Sequence, residues 1–287
     1  MKKLLLLILL LLGFQTIFAQ SLLWEITGKH LKKTSYLYGT IHIQDKRVFN
    51  FGDIVKEKFN SCDAYAMEIL LDEIDKETVR KIILMKNDNS LDKLISKEDY
   101  ELLNKVFKKK TGMSITLLNK TKPFFIASQL MQASMNKEMK TALDIYFLNM
   151  AKENNKKIYG IEKLKDQVDA IDKIPLKEQC EMLMKSVRDT SSEKDKYDEL
   201  LKVYLKGDLD KMLELSKDTT MPENFNEIFL TNRNKHMAKK IAKLCKKQST
   251  FNAIGATHLC GEQGVINLLR KKGYTVKPVK FEFKKQD

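Results

Sequence analysis

The chain has 287 residues, enough for one large domain or two modest ones and for a sizeable buried core. Hydrophobic residues make up 43% of the chain and charged residues 31%, with only 4 prolines and 11 glycines, which excludes a disordered or collagen-like chain. The 52 Lys and Arg against 38 Asp and Glu give a net charge of +14, which favours acidic partners in general but identifies none of them.

Residues 1–20 have the pattern of a signal peptide. Lys2 and Lys3 precede an unbroken apolar run over 4–12 that is short for a membrane span, and Ala19 is the small residue that signal peptidase needs. We therefore expect cleavage directly after Ala19 or one residue later, export to the periplasm or cell exterior, and no stable membrane span after cleavage. An uncleaved N-terminal anchor is the alternative. Export argues against nucleic acid as a partner, and losing both lysines lowers the charge only from +14 to +12.

The first predicted elements after this segment are strands. Runs rich in β-forming residues at 22–26 and 34–41 flank a short turn and predict a hairpin. A helix-sized segment follows at 53–60. An apolar run of strand length then covers 64–70 and is interrupted by a single carboxylate, Glu68. Because a buried carboxylate needs a partner, Glu68 is a candidate site residue.

The middle of the chain has helical periodicity. Apolar residues recur three and four positions apart over 75–110, where Ser96 has the position of an N-cap. The remaining predicted elements are helices over 124–135 and 141–154, a strand over 157–161 followed by Glu162, and a helical stretch over 166–246 with breaks near Pro175, Gly207 and Pro222. The chain ends with a strand at 250–255, a helix at 262–271 and a strand at 274–279, a spacing that predicts a parallel crossover unit.

Four reactive residues follow or end predicted strands: His42, Glu68, Glu162 and His258. Ligands of open α/β sheets bind at the carboxyl ends of the strands, so these residues are expected to converge although they are far apart in sequence. The two histidines also share a local pattern, Gly-x-x-His, at 39–42 and 255–258. We expect the glycine to permit a tight turn before the imidazole.

The chain resembles the TraB/GumN family of extracytoplasmic proteins, which is related to the Tiki metalloproteases and to the erythromycin-esterase and ChaN-like fold. The resemblance spans most of the sequence after residue 20. It rests on Tyr36 to His42, Ala66-Met67-Glu68, Ala142-Leu143-Asp144, Gly160-Ile161-Glu162, Asn232-Arg233-Asn234 with Met237, and Gly255 to Leu259 with the glycines and leucines that follow. One departure is Cys260, which stands where the family commonly has proline after His-Leu.

The resemblance implies an α/β fold with a duplicated strand–helix core and a mixed, largely parallel sheet. It implies a single domain over 21–287, with a helical insertion at roughly 75–246 that is interrupted by the strand near 157–161. It also implies that the paired Gly-x-x-His motifs face a shared cleft, which in Tiki proteins is linked to divalent-metal peptidase activity.

The candidate residues suit hydrolytic chemistry. Two neutral imidazoles and a carboxylate form a plausible ligand set for Zn²⁺, Mn²⁺ or Co²⁺, so His42 and His258 are predicted metal ligands and Glu68 a ligand or general base. Glu162 is predicted to act at the site, as a ligand or by orienting an imidazole, and Arg233 to stabilise an oxyanion or bind a substrate carboxylate. Each also has a purely structural interpretation, such as an ion pair.

Three functions remain open at this point. The first is an exported metal-dependent hydrolase, most plausibly a peptidase; the second is a metal-free, histidine-dependent esterase-like hydrolase; the third is a binding protein that keeps the cleft for a peptide or small molecule. The sequence does not determine the oligomeric state. It also leaves open whether Cys62, Cys180, Cys245 and Cys260 form disulfides or remain buried thiols.

Overall fold

A computed structural model describes residues 21–70, 75–189, 193–216 and 225–284. The predicted signal peptide and the predicted break near Pro222 lie outside these residues. Within the described ranges the chain has an α/β fold. Its six strands are β1 (Leu23–Thr27), β2 (Ser35–Thr40), β3 (Ala64–Ile69), β4 (Lys157–Glu162), β5 (Thr250–Gly255) and β6 (Thr275–Pro278).

The strands form one mixed sheet in the order β4-β3-β5-β2-β1-β6. The neighbours β4, β3, β5 and β2 are parallel, whereas β1 is antiparallel to both β2 and β6. The predicted α/β class with a largely parallel sheet is therefore confirmed. The two strands that precede the Gly-x-x-His histidines, β2 and β5, lie side by side, with Gly39 opposite Ile254.

The predicted hairpin and the predicted strand–helix–strand unit are both present, but the two strands of the second unit are not neighbours in the sheet. The predicted hairpin is formed by β1 and β2, with Trp24 opposite Leu37. Strands β5 and β6 run in the same direction, as the predicted crossover requires, but β2 and β1 lie between them. The strand–helix–strand pattern is local, whereas the choice of neighbouring strand depends on contacts with a hairpin more than 200 residues away.

Twelve helices connect the strands in the described part of the chain. They are α1 (Asp53–Asn60), α2 (Lys76–Ile83), α3 (Leu91–Leu94), α4 (Lys97–Thr111), α5 (Pro123–Ala133), α6 (Leu143–Glu153), α7 (Leu164–Asp172), α8 (Leu176–Arg188), α9 (Glu193–Leu205), α10 (Leu209–Leu215), α11 (Asn232–Lys247) and α12 (Val265–Lys271). A short π-helical segment, Glu227–Thr231, precedes α11. None of the described helices is long and apolar enough to cross a membrane.

Several predicted helix boundaries have the expected physical cause. The Ser96 hydroxyl accepts a hydrogen bond from the Asp99 amide and caps α4. Pro175 is the N-cap of α8, and Gly207 has a φ of 65° in the break between α9 and α10. Helix α12 begins at Val265, three residues later than predicted, because Gly264 is its N-cap.

The sheet buries two apolar faces whose side chains alternate along the strands. On one face, Tyr38 and Phe251 pack against Phe59 of α1 and Phe147 of α6. On the opposite face, the intervening strand residues pack against α11 and α12 in a second cluster that includes Leu37, Ile254, Met237, Ile241 and Leu269. A third cluster, formed by α3, α4, α5 and α8, lies among helices alone. Because both faces of the sheet are covered, a site has room only at the ends of the strands.

All four cysteines are buried free thiols, which decides between the two alternatives that the sequence left open. Burial raises the pKa of the Cys260 thiol to about 12, and its Sγ lies 3.3 Å from the Ala256 carbonyl oxygen. Cys260 therefore acts as a small apolar residue in the turn after His258.

Candidate active site

Glu68 lies one residue before the end of β3 and is held by three donors. Its Oε2 accepts a hydrogen bond from the Gly255 amide of the neighbouring strand at 3.1 Å, and its Oε1 accepts one from Gln167 Nε2 at 2.8 Å and one from Arg233 Nη2. Burial alone would raise the pKa of Glu68, but the imidazole of His258 and the guanidinium of Arg233 outweigh it and lower the pKa to about 2. Glu68 is therefore a buried, ionised carboxylate.

Arg233 joins Glu68 to Glu162. The Arg233 Nη2 lies 2.6 Å from Glu162 Oε2, and its Nε lies 3.1 and 3.2 Å from the two Glu162 oxygens. Its Nη1 donates to the Phe229 carbonyl oxygen at 3.2 Å. All three nitrogens of the guanidinium donate hydrogen bonds, and Arg233 thereby binds the carboxylates of Glu68 and Glu162 at the same time.

Glu162 ends β4 and has only 2% of its side chain exposed. Its carboxylate contacts Arg233, and the contacts found for it include no imidazole, in contrast to the expected orienting role. Burial raises the pKa of Glu162 despite the ion pair with Arg233. Glu162 is thus connected to the other site residues through Arg233.

His258 lies in a short 3₁₀ turn, Ala256–Leu259, directly after β5. Its Nδ1 is 2.7 Å from Asn234 Oδ1, and the Asn234 amide nitrogen donates to the Gln263 carbonyl oxygen at 2.9 Å. That second bond orients the amide, so Nδ1 of His258 is the donor and Nε2 carries the lone pair. Nε2 is 3.9 Å from Glu68 Oε1, and burial lowers the pKa of His258 to about 4. His258 is thus neutral near pH 7.

His42 lies two residues after β2, at the exposed rim of the same strand ends, with 62% of its side chain accessible to solvent. Its Nδ1 contacts Oδ2 of Asp144, in the first turn of α6. Desolvation lowers the pKa of His42, but the Asp144 carboxylate outweighs it and raises the pKa to about 9. The charges of Glu68 and Arg233 also act on this ring, which places it beside the buried network.

The five predicted residues therefore fall into two parts. Glu68, Glu162, Arg233 and His258 form one buried network, and His42 lies beside this network and contacts Asp144.

Sequence reasoning did not assign a role to three further residues that contact these five side chains: Asp144, Asn234 and Gln167. The motifs Ala142-Leu143-Asp144 and Asn232-Arg233-Asn234 carried a signal for the first two, whereas nothing in the sequence distinguishes Gln167 from other helical glutamines.

Of the two motif glycines, only Gly39 is required by close approach, since a Cβ at Gly255 would meet its nearest neighbours, His258 and Glu68, at 3.5 and 3.6 Å. Neither has a positive φ, and Gly255 directly precedes the 3₁₀ turn that carries His258, in agreement with the tight turn expected there. A Cβ at Gly39 would lie 2.8 Å from Leu259 Cδ1 and 3.0 Å from Ala256 Cβ. Gly39 therefore allows the turn that carries His258 to pack directly on β2, which brings the two motifs together.

The free atoms of these side chains show whether they could bind a divalent metal ion. Each imidazole has its Nδ1 held by an oxygen acceptor, so Nε2 is the nitrogen that a metal could use, as is typical of metal-bound histidines. In His42 the metal would have to displace a proton from Nε2, because the raised pKa keeps this ring protonated near pH 7. Among the described residues, however, no three His, Cys, Asp or Glu side chains are grouped so that they could hold a metal ion. Both Glu68 oxygens already accept hydrogen bonds. The two imidazoles thus fit a metal by their donor chemistry, whereas a metal contact of Glu68 would have to use an oxygen that already accepts a hydrogen bond.

The fold and these strand ends define an α/β protein with a buried histidine, carboxylate and arginine centre at the carboxyl edge of its sheet. The family model described as the TraB/PrgY/gumN family matches residues 22–278. The chain belongs to this family, as its motifs indicated.

Curated relatives carry a more specific name. The chain is 21% identical to Metalloprotease TIKI2 of Danio rerio, covering 89% of this chain and 60% of the relative, and 24% identical to Metalloprotease TIKI1 of the same organism, covering 89% and 62%. It is 23% identical to Metalloprotease TIKI homolog of Nematostella vectensis, covering 91% and 68%. The chain thus spans about 60% of the length of the two Danio relatives. No solved structure matches it.

Proposed function

We propose that this chain is an exported, metal-dependent hydrolase that acts on peptides. His42 and His258 would hold a divalent ion, Mn²⁺, Co²⁺ or Zn²⁺, through their Nε2 atoms. When bound, such an ion supplies Lewis-acid activation of a water or a carbonyl group. The substrate would be a peptide or a small molecule that carries an amide or ester bond, and nucleic acid is not a proposed partner.

One observation carries this proposal more than any other. Two imidazoles follow adjacent parallel strands, and in both of them Nδ1 is bound by an oxygen acceptor, Asp144 for His42 and Asn234 for His258. A histidine with only a structural role has no need for a free, oriented Nε2, whereas a metal ligand requires one. The similarity to relatives named metalloproteases supports the same interpretation.

The buried carboxylates and Arg233 have distinct proposed roles. Glu68 is the carboxylate nearest to Nε2 of His258, so it is the group best placed to accept a proton or to contact the ion. Glu162 holds Arg233, and Arg233 holds Glu68 in its ionised form. An oxyanion would have to use the second N–H of Arg233 Nη1, because Nε and Nη2 already donate to carboxylates.

A metal-free hydrolase is the second candidate, and the contact between His42 and Asp144 is the observation that favours it. A base oriented by a carboxylate is the arrangement that activates nucleophiles in metal-free hydrolases. With its pKa raised to about 9, His42 would act as this base mainly in alkaline solution. In that case a chelator would leave hydrolysis intact, and only His42 would be indispensable.

The test is a peptide-library digest by the purified chain lacking residues 1–20, with Mn²⁺, Co²⁺, Zn²⁺ or a chelator in parallel. The variants are H42A and H258A, and H236A is the matched control because His236 is an exposed histidine of α11. We expect cleavage only with metal, loss of cleavage in both site variants, and normal cleavage in H236A. Cleavage that survives both the chelator and H42A contradicts the proposal.

A further inference from the structure

Asp144 is a buried carboxylate with an incomplete set of partners. Its side chain is 13% exposed, and its Oδ2 contacts His42 Nδ1 across 102 residues of sequence. Its Oδ1 is fully shielded from solvent and has no hydrogen-bond partner among the described residues. Leaving a carboxylate oxygen buried and unpaired costs free energy, so a purely structural role explains Asp144 poorly.

Asp45, three residues after His42, shows how this fold treats a structural carboxylate. Its side chain is fully buried, and both its oxygens are bonded: Oδ1 by the Arg47 amide and Nε, and Oδ2 by Arg47 Nη2, Tyr197 and Asn136. In Asp144, by contrast, only Oδ2 is bonded, to His42, and Oδ1 has no partner among the described residues.

The position of Asp144 in the first turn of α6 explains part of its environment. A carboxylate at a helix N-terminus is stabilised by the helix dipole. That effect requires neither burial of the side chain nor a hydrogen bond to a histidine at the end of β2. The Tyr65 hydroxyl also donates to the Asp144 backbone oxygen at 3.2 Å, which fixes this turn against β3.

We propose that Asp144 is a positioning residue for His42. By accepting the Nδ1 hydrogen of His42, it fixes the orientation and tautomer of an otherwise exposed ring and leaves Nε2 as the free nitrogen. Asn234 does the same for His258 with a neutral amide. The two motif histidines thus share a sequence pattern, but their Nδ1 atoms are bound by different acceptors: a carboxylate for His42 and an amide for His258. This inference deepens the proposed function and rests on it for its catalytic meaning.

The test combines a spectroscopic signature with metal affinity in D144A, D144N and the control D53A. Asp53 is also in the first turn of a helix, α1, but its side chain is 83% exposed. Imidazole ¹⁵N chemical shifts of His42, assigned by their loss in H42A and recorded above the pKa of the ring, report its tautomer. We expect a proton on Nδ1 in the wild type and D53A and a shift of the proton towards Nε2 in D144A. Titration with Co²⁺ should show an affinity about 10- to 100-fold lower in D144A, with D144N between D144A and the wild type.

The ¹⁵N chemical shifts test whether Asp144 orients His42, and the Co²⁺ titration tests the metal-dependent function. If the wild type binds no Co²⁺, the metal-dependent function fails, yet the ¹⁵N shifts still decide whether Asp144 orients His42. An unchanged ring tautomer in D144A overturns the inference, whatever the metal affinity. If D144A does not fold, D144L supplies the same comparison, because its side chain is close in size to that of aspartate and cannot accept a hydrogen bond.

Discussion

At the scale of single residues, Arg233 is the group on which the buried site depends. Its guanidinium is 12% exposed and joins Glu68 to Glu162, whose side chains are 12% and 2% exposed. Two carboxylates this close and this buried cannot both remain ionised without a cation between them.

We predict that R233A destabilises the protein by about 3–5 kcal/mol, because it leaves two buried carboxylates without their shared partner. The matched control is R188A: Arg188 pairs with Asp99, but its side chain is 55% exposed, and a pair of this kind contributes at most about 1 kcal/mol. Urea unfolding of both variants, compared with the wild type, measures the two free energies. If R233A and R188A lowered the free energy of unfolding equally, burial would not be what makes the contacts of Arg233 strong.

Asp45 provides a pH-dependent prediction away from the site. Burial alone would raise its pKa, but the hydrogen bonds from Arg47, Tyr197 and Asn136 outweigh it and hold the pKa well below its usual range. A depressed carboxylate pKa stabilises the folded protein above the unfolded-state pKa, near 4, and this contribution is lost as the pH falls below that value.

We therefore expect D45N to be less stable than the wild type near pH 7 and the difference to shrink as the pH is lowered from about 5 towards 3. Urea unfolding at a series of pH values measures it. Because other carboxylates titrate in both proteins, the difference between them isolates Asp45. A difference that stays constant across this range would show that the ionised form of Asp45 contributes nothing.

At the scale of elements, the site depends on the packing of one turn against one strand. The turn that carries His258 contacts β2 at Gly39, where a side chain has no room. Parallel pairing of β2 with β5 then puts both motifs at the same edge of the sheet.

G39A is predicted to displace this turn. Its Cβ would lie within 3.1 Å of three atoms of Leu259 and Ala256, and overpacking of this kind costs about 1–3 kcal/mol. G52A is the control, because a Cβ at Gly52 meets its nearest neighbour, the Glu282 carbonyl oxygen, at 3.4 Å. We expect G39A to lower both the melting temperature and the Co²⁺ affinity. If G39A loses neither, the close approach is not what positions His258.

At the scale of the whole molecule, the family model begins at residue 22, and the predicted signal peptide precedes it over residues 1–20. The main hydrophobic core cluster of the described residues begins at Leu22. The proposal of export therefore makes a separate prediction that does not depend on the chemistry of the site.

When the gene product is expressed with residues 1–20 in a host that has a Sec-type export route, the protein should be recovered outside the cytoplasm without its N-terminus. Intact-mass measurement of the extracytoplasmic fraction gives the cleavage position, expected after Ala19 or Gln20. Replacement of Leu7 and Ile8 by Arg should retain the protein inside the cell. Recovery of the full-length wild type in the membrane fraction would support the uncleaved anchor instead.

The sequence by itself determined what depends on neighbouring residues. The strands, the hairpin, the Ser96 cap and the break at Gly207 follow from periodicity and capping, and they agree with the structure within a few residues. The positions of His42, Glu68, Glu162 and His258 at or near strand ends were also readable, because a strand end is a local feature. The family motifs then indicated the fold.

Only the tertiary structure decided which side chains meet. Arg233 contacts Glu68 across 165 residues, and Asp144 reaches His42 across 102. Glu162 was expected beside an imidazole and instead binds Arg233, and Gly39 provides the space in which the turn that carries His258 packs on β2. Such partners depend on the order of the strands and on the packing of helices over them, so no local pattern in the sequence encodes them. A strand end shows where a side chain leaves the sheet, but its partner comes from whichever distant element packs against that end.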